Sequence, residues 1–189
     1  MAFLYNKITR KILLVLIILW GALSFLSSNP TTPLLVLIIF LSVSAIAFTL
    51  FEMAPIFLLI FLSFLTSFAL YNFLFQFNLP VWAIMIAILV IFGYFFYYTE
   101  QKIGILGNKQ FIYLVLFSLI TLEVFFALNY FLISPLSKSL IISSISYLFI
   151  GFCYSVLAQH EDKKLKTYLL VAAIMIILIF ISSIWGNTI

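Results

Sequence analysis

The sequence predicts an all-α fold: a polytopic integral membrane helix bundle of about seven transmembrane helices, N-terminus in and C-terminus out. Three observations predict it. Of the 189 residues, 67% are hydrophobic and only 7% are charged, whereas soluble domains carry roughly 25% charged residues. The apolar residues gather in runs of about 20, the length that crosses about 30 Å of hydrocarbon. The nine Lys and Arg residues fall between those runs or, for Lys166, at the edge of one, strongly biased to one side. A soluble domain of this length would leave a large share of its apolar surface in water; a bilayer removes that cost. The 23 Phe and 10 Tyr fit lipid-facing and interfacial positions.

The spans lie at 12–28, 33–51, 55–75, 80–99, 111–133, 139–158 and 165–185, in one transmembrane domain covering 1–189. Proline placement supports the cuts. Pro33, Pro55 and Pro80 each open a span, where the missing N–H costs nothing. Pro30 and Pro135 belong to the turns before the second and sixth spans. Glu52-Met53-Ala54-Pro55 demands a very tight hairpin, but a single run from Pro33 to Phe75 would be about 43 residues, twice what a bilayer needs. The first run has the basic front of a signal peptide, with Lys7, Arg10 and Lys11, yet Ser24 to Asn29 offers no small-x-small cleavage site. It is expected to stay as a helix.

With seven spans, one side receives Lys7, Arg10, Lys11, Lys102, Lys109, Lys163, Lys164 and Lys166, and the other only Lys138. Basic residues are retained in the cytoplasm, so the eight-to-one split puts the N-terminus there. Tyr94, Tyr97 and Tyr98 mark an inner interface, and Trp82 and Trp185 outer ones; Trp20 lies too deep to be an anchor.

Glu123 stands out. It is about 12 residues into the fifth span, roughly 18 Å from the inner edge at 1.5 Å per residue. Acids at such depth are costly and usually face a bundle interior or wet cavity. Two roles suit it: a protonated Glu hydrogen-bonded between helices, or a proton or cation site. Depth matching nominates Ser146, Tyr147 and Ser67 as its neighbours, with Ser42 and Ser24 at similar depth. Ser139, Ser143, Tyr147, Gly151 and Ser155 form nearly one helix face, and Ser63, Ser67 and Tyr71 a shorter one. Small residues at this spacing let backbones approach, so both faces are expected to pack against other helices; the sharper alternative is a hydrophilic seam lining a path. Tyr71, Asn72, Gln76, Asn78 and Asn129 gather toward the outer side beside Lys138. They suit helix-end and headgroup contacts, or a shallow external pocket.

Reaction chemistry is harder to place. Arg10, His160 and Cys153 are the sole members of their kinds, and the only Asp sits beside His160 in a loop. Structural or catalytic metals want three or four ligands, so no metal or haem site is expected, nor any cofactor. Gly104-Ile-Leu-Gly107 is a turn, not a phosphate loop. Cys153 lies in an apolar run and is expected to be buried and inert. Glu52, at an inner turn, is expected to be hydrated. Lys163, Lys164 and Lys166 favour anionic headgroups. The net charge of +4, spread over short loops, is no nucleic-acid signature.

From Leu122 onward, about the last third, the chain resembles a domain-of-unknown-function family of small polytopic membrane proteins from candidate-phyla bacteria. The resemblance rests on Leu122-Glu123 in an apolar helix, the Ser134-Pro135 turn, Ser146-Tyr147 followed by Gly151, a basic loop before Tyr168 and a closing Trp185. The aromatic residue expected near Pro135 is missing. The resemblance implies that Glu123 and Tyr147 are family features and implies no activity. Together these readings point to a non-enzymatic packing or assembly partner in the plasma (inner) membrane, in contact with lipid and other membrane proteins. The alternative is a small permease or ion-coupled transporter using Glu123. A wet cavity reaching Glu123 would favour the second reading.

Overall fold

The computed structural model describes residues 7–77, 80–104, 107–157, 168–175, 177 and 179. These residues are helical apart from the turns. Six α-helices among them are long and apolar enough to cross a membrane: α1 (Lys7–Leu26), α2 (Thr32–Phe51), α3 (Pro55–Phe77), α4 (Val81–Ile103), α5 (Gln110–Asn129) and α6 (Pro135–Leu157). Helices suit that environment because every backbone N–H and C=O is satisfied within its own segment. Residues 168–175 are helical as well; most of the seventh expected span, and the loop holding His160, lie outside the described residues.

The prolines act as expected. Pro33 sits in the first turn of α2, Pro55 opens α3, and Pro80 caps α4. The Glu52–Pro55 hairpin forms. Glu52 caps α2 in the left-handed region at φ 59°, its N–H bonded to the Phe48 carbonyl, and Ala54 follows at φ 48°. Two boundaries differ from the sequence reading. α5 stops at Asn129, short of Ile133, and α6 starts at Pro135, one turn before Ser139. Pro135 is therefore the first helical residue, where its fixed φ is already helical. The shift carries Lys138 out of the expected outer loop into the first turn of α6, where it is only 2% exposed.

α3 is the central helix. Residues 58–59 and 61–72 are buried without interruption, and α3 contacts α1, α2, α4 and α6, most extensively α6. α2 lies at the rim. α5 bridges α4 and α6, and Phe111, Val115, Leu119 and Ala127 on its far face are exposed.

Many aromatic residues fill the core instead of facing lipid. Tyr71, Phe92, Phe95, Phe96, Phe117 and Phe125 are among the largest fully buried side chains. Phe96, Phe117 and Phe149 meet one another with ring centroids 5.1–5.6 Å apart, joining α4, α5 and α6. Lipid tails are as apolar as Leu, so helix association in a bilayer rests on close packing more than on escape from solvent. Large rigid rings supply it, at about 0.5–1.5 kcal/mol for a well-placed pair.

Glycine sets the closest approaches. A Cβ on Gly21 of α1 would lie 2.7 Å from Leu65 Cβ and 3.2 Å from the Leu65 backbone. On α6, a Cβ on Gly151 would lie 2.5 Å from the ring of Tyr168. The expected face of α6 is accordingly packed. Ser139, Ser143 and Gly151 are buried, and Tyr147 is half-buried with its ring 5.0 Å from that of Tyr168. The Ser155 side chain lies outside the described residues.

Candidate functional site

The residues expected to surround Glu123 do not converge on it. Ser67 is fully buried and donates back to the carbonyls of Ser63 (2.6 Å) and Phe64 (3.0 Å). Ser146 is fully buried and donates to the Ile142 carbonyl at 3.0 Å. Thr49, Ser118, Thr121, Ser139 and Ser144 repeat the pattern, each bonding the carbonyl four residues earlier. A hydroxyl turned onto its own helix is already satisfied. Both faces pack against neighbouring helices, although Ser63 Oγ on the α3 face, and Ser42 Oγ on α2, are buried with no hydrogen-bond partner.

Glu123 points the other way. It is exposed on the outer surface of α5, in a stripe with Phe111, Val115, Leu119 and Ala127, all exposed at a spacing of four. The α5 residues Phe117, Thr121, Phe125 and Leu128 occupy the inner face. Among the described residues Glu123 has no hydrogen bond, ion pair or ring contact. The inward-facing position expected from its depth is thus corrected. An α-helix turns 100° per residue, so depth along the axis says nothing about which side a residue faces. The shared depth with Tyr147 is no evidence of contact, and Tyr147 pairs with Tyr168 instead.

The outer polar group divides. Tyr71 is fully buried, stacks on Phe125 with centroids 4.1 Å apart, and donates to the Phe125 carbonyl at 3.0 Å. Lys138 lies over its ring at 5.4 Å. That carbonyl belongs to α5's helical ladder, so the bond ties α3 to α5 at the level of their inner faces. Asn72 faces α1, donating to the Ser24 carbonyl (3.4 Å) and Oγ (3.3 Å). Asn129 lines a shallow pocket of about 300 Å³ with Leu74, Val81, Phe126 and Tyr130, and its buried Oδ1 has no hydrogen-bond partner. The Gln76 side chain and Asn78 lie outside the described residues. A shared external pocket for the whole group does not form, because Tyr71 and Asn72 are used between helices.

The sequence reading missed a polar cluster at the opposite end. Glu52, expected to be hydrated, is an ion-pair hub. Lys11 Nζ of α1 lies 3.1 Å from its carboxylate and donates to the Leu50 carbonyl at 2.6 Å. Lys102 of α4 pairs with the other carboxylate oxygen. The left-handed cap of α2 is what aims Glu52 inward between these two helices. Nearby, Arg10 donates to Gln101, Gln101 donates to the Tyr97 hydroxyl, and Tyr94 donates to the Arg10 carbonyl at 3.3 Å. The helix ends α1, α2 and α4 are laced together on the side that carries the excess of basic residues. A signal existed in the sequence. Alternation of spans puts Lys11, Glu52 and Lys102 on the same side, though it does not say which helices are neighbours.

Among the described residues no three His, Cys, Asp or Glu side chains gather in a way that could hold a metal. Cys153 is buried. Comparison with known proteins finds no matching protein-family model, no similar curated protein and no similar solved structure.

Proposed function

We propose that this multi-pass membrane protein is a non-enzymatic assembly subunit of the plasma membrane, and that the outer face of α5 is where it meets another membrane protein. The position of Glu123 carries the reading: an acid at mid-span, exposed, with no partner among the described residues. Leaving an ionisable group in hydrocarbon costs about 2.5–3.5 kcal/mol on insertion scales. A partner helix offering a donor or a cation at that depth offsets the cost, and Ala127, one turn away on the same face, permits close approach of a backbone. The orientation that goes with this reading has the N-terminus in the cytoplasm, supported by the eight-to-one split of basic residues. The alternative, a small permease or ion-coupled transporter using Glu123, calls for a wet cavity at that residue; Glu123 lines neither the shallow outer pocket nor the groove beside α1.

The test is photo-crosslinking from Leu119 and Ala127 in native membranes, with Val90 on the outer face of α4 as the comparison. Discrete protein adducts from the α5 positions, lost in Glu123→Ala and absent from Val90, are expected. Lipid adducts alone at all three positions would refute an α5 interface.

A further inference from the structure

Beside the Glu52 hub, between α1 and α4, runs a groove of about 720 Å³, open along one side. Its walls include Leu13, Ile17 and Trp20 of α1 and Val90, Tyr94 and Tyr97 of α4. From Leu13 to Trp20 the helix rises about 10 Å, which fits within one leaflet's share, about 15 Å, of the hydrocarbon core. The walls are apolar along this length and turn polar only at the basic end, where the Tyr97 hydroxyl meets Gln101 and Gln101 meets Arg10.

Charge at that end is positive. Lys11 and Lys102 share Glu52. Glu100 is buried on α4. Arg10 has no carboxylate partner among the described residues; its hydrogen bond goes to a neutral amide, and its Nε is buried without a partner. A guanidinium with donors to spare is well matched to a phosphate diester, and the apolar trough leading away from it is matched to an acyl chain.

We propose that this groove binds one anionic phospholipid, with an acyl chain between α1 and α4 and the phosphate at Arg10. Arg10 sets the headgroup preference, since Lys11 and Lys102 are engaged with Glu52: its charge attracts a lipid with a net negative headgroup and repels the ammonium that accompanies the phosphate of a zwitterionic one.

Trp20 lies in the groove wall and reports on it. In a Trp82→Phe, Trp185→Phe chain it is the one remaining Trp. Reconstituted into phosphatidylcholine vesicles, that chain is titrated with phosphatidylglycerol or phosphatidylcholine brominated at matching chain positions. Brominated phosphatidylglycerol is expected to quench Trp20 at about a tenfold lower mole fraction, the ratio for one charge-assisted hydrogen-bond set. Arg10→Gln should bring the two titrations together, and Arg10→Lys, which keeps the charge, should hold most of the difference. Free phosphate carries no quencher, so the signal reads the lipid. Equal quenching by the two lipids in the Arg10 chain, or a preference that survives Arg10→Gln, overturns the proposal.

Discussion

Replacing Glu123 by Leu separates a bundle role from an interface role. A mid-membrane acid that joins two helices of its own chain loses an interhelical hydrogen bond on substitution, worth about 0.6–2 kcal/mol. Here the side chain is exposed on α5 and bonded to no described residue, so no such bond is lost. The reference state matters as well. When helices separate inside a bilayer, residue 123 faces lipid both before and after, and the cost of the acid cancels from the folding equilibrium. Folding stability should therefore change by less than about 0.5 kcal/mol, the range of surface substitutions. Insertion of α5 is a different equilibrium, from water to lipid. There Leu gains about 3 kcal/mol over a charged residue near the helix centre. The assay is reversible unfolding in mixed micelles, titrated with a denaturing detergent, for the purified chain and its Glu123→Leu variant. Coincident midpoints are expected, with higher yield in the membrane fraction for the variant. A loss of 1 kcal/mol or more would show that Glu123 has a partner inside the bundle and would refute the exposed placement together with the α5 interface.

Gly151→Leu should destabilise the bundle by about 1–3 kcal/mol, the usual cost of overpacking, because even a Cβ would meet the Tyr168 ring at 2.5 Å; a thermal shift in detergent reads it, and Tyr168→Ala should restore part of the loss. Gly21→Ala sets two effects against each other. The better helix former gains about 1 kcal/mol, but its methyl would sit 2.7 Å from Leu65 Cβ and 3.2 Å from that residue's backbone, and rigid backbone cannot rotate away, so a net loss of about 1 kcal/mol is expected; a stabilised variant would mean that α1 and α3 are not so close. At Glu52, the Gln variant loses the pairs with Lys11 and Lys102 while keeping a left-handed backbone, for a loss of about 1 kcal/mol. The Gly variant loses the same pairs but releases about 1 kcal/mol of left-handed strain, so it should come out close to the parent. Gly falling below Gln in a thermal melt would contradict the strained cap.

The spans were legible because bilayer thickness imposes a length and hydrocarbon imposes a composition, and both can be read in one dimension. Proline positions were legible for a similar reason: Pro33 and Pro55 open their helices through a property of their own backbone. The packed face of α6 could be read from its spacing, since Ser139, Ser143 and Gly151 are small and in register, and all three are buried. Gly21, a lone glycine in α1, gave no comparable pattern, and its contact with Leu65 depends on α3 being the neighbour.

What the sequence by itself determined is that this chain is a bundle of membrane-spanning helices, because solvent, not neighbours, dictates apolar runs of that length. Tertiary structure alone decided which way each polar residue turns. Depth is a property of position along a helix, whereas facing depends on how the helices are arranged around one another. That is why Glu123 and Tyr147, level in sequence, part company in the fold. It is also why Lys11, Glu52 and Lys102, far apart in the chain and only on a common side by count, meet at one point: α1, α2 and α4 all end around the same central α3.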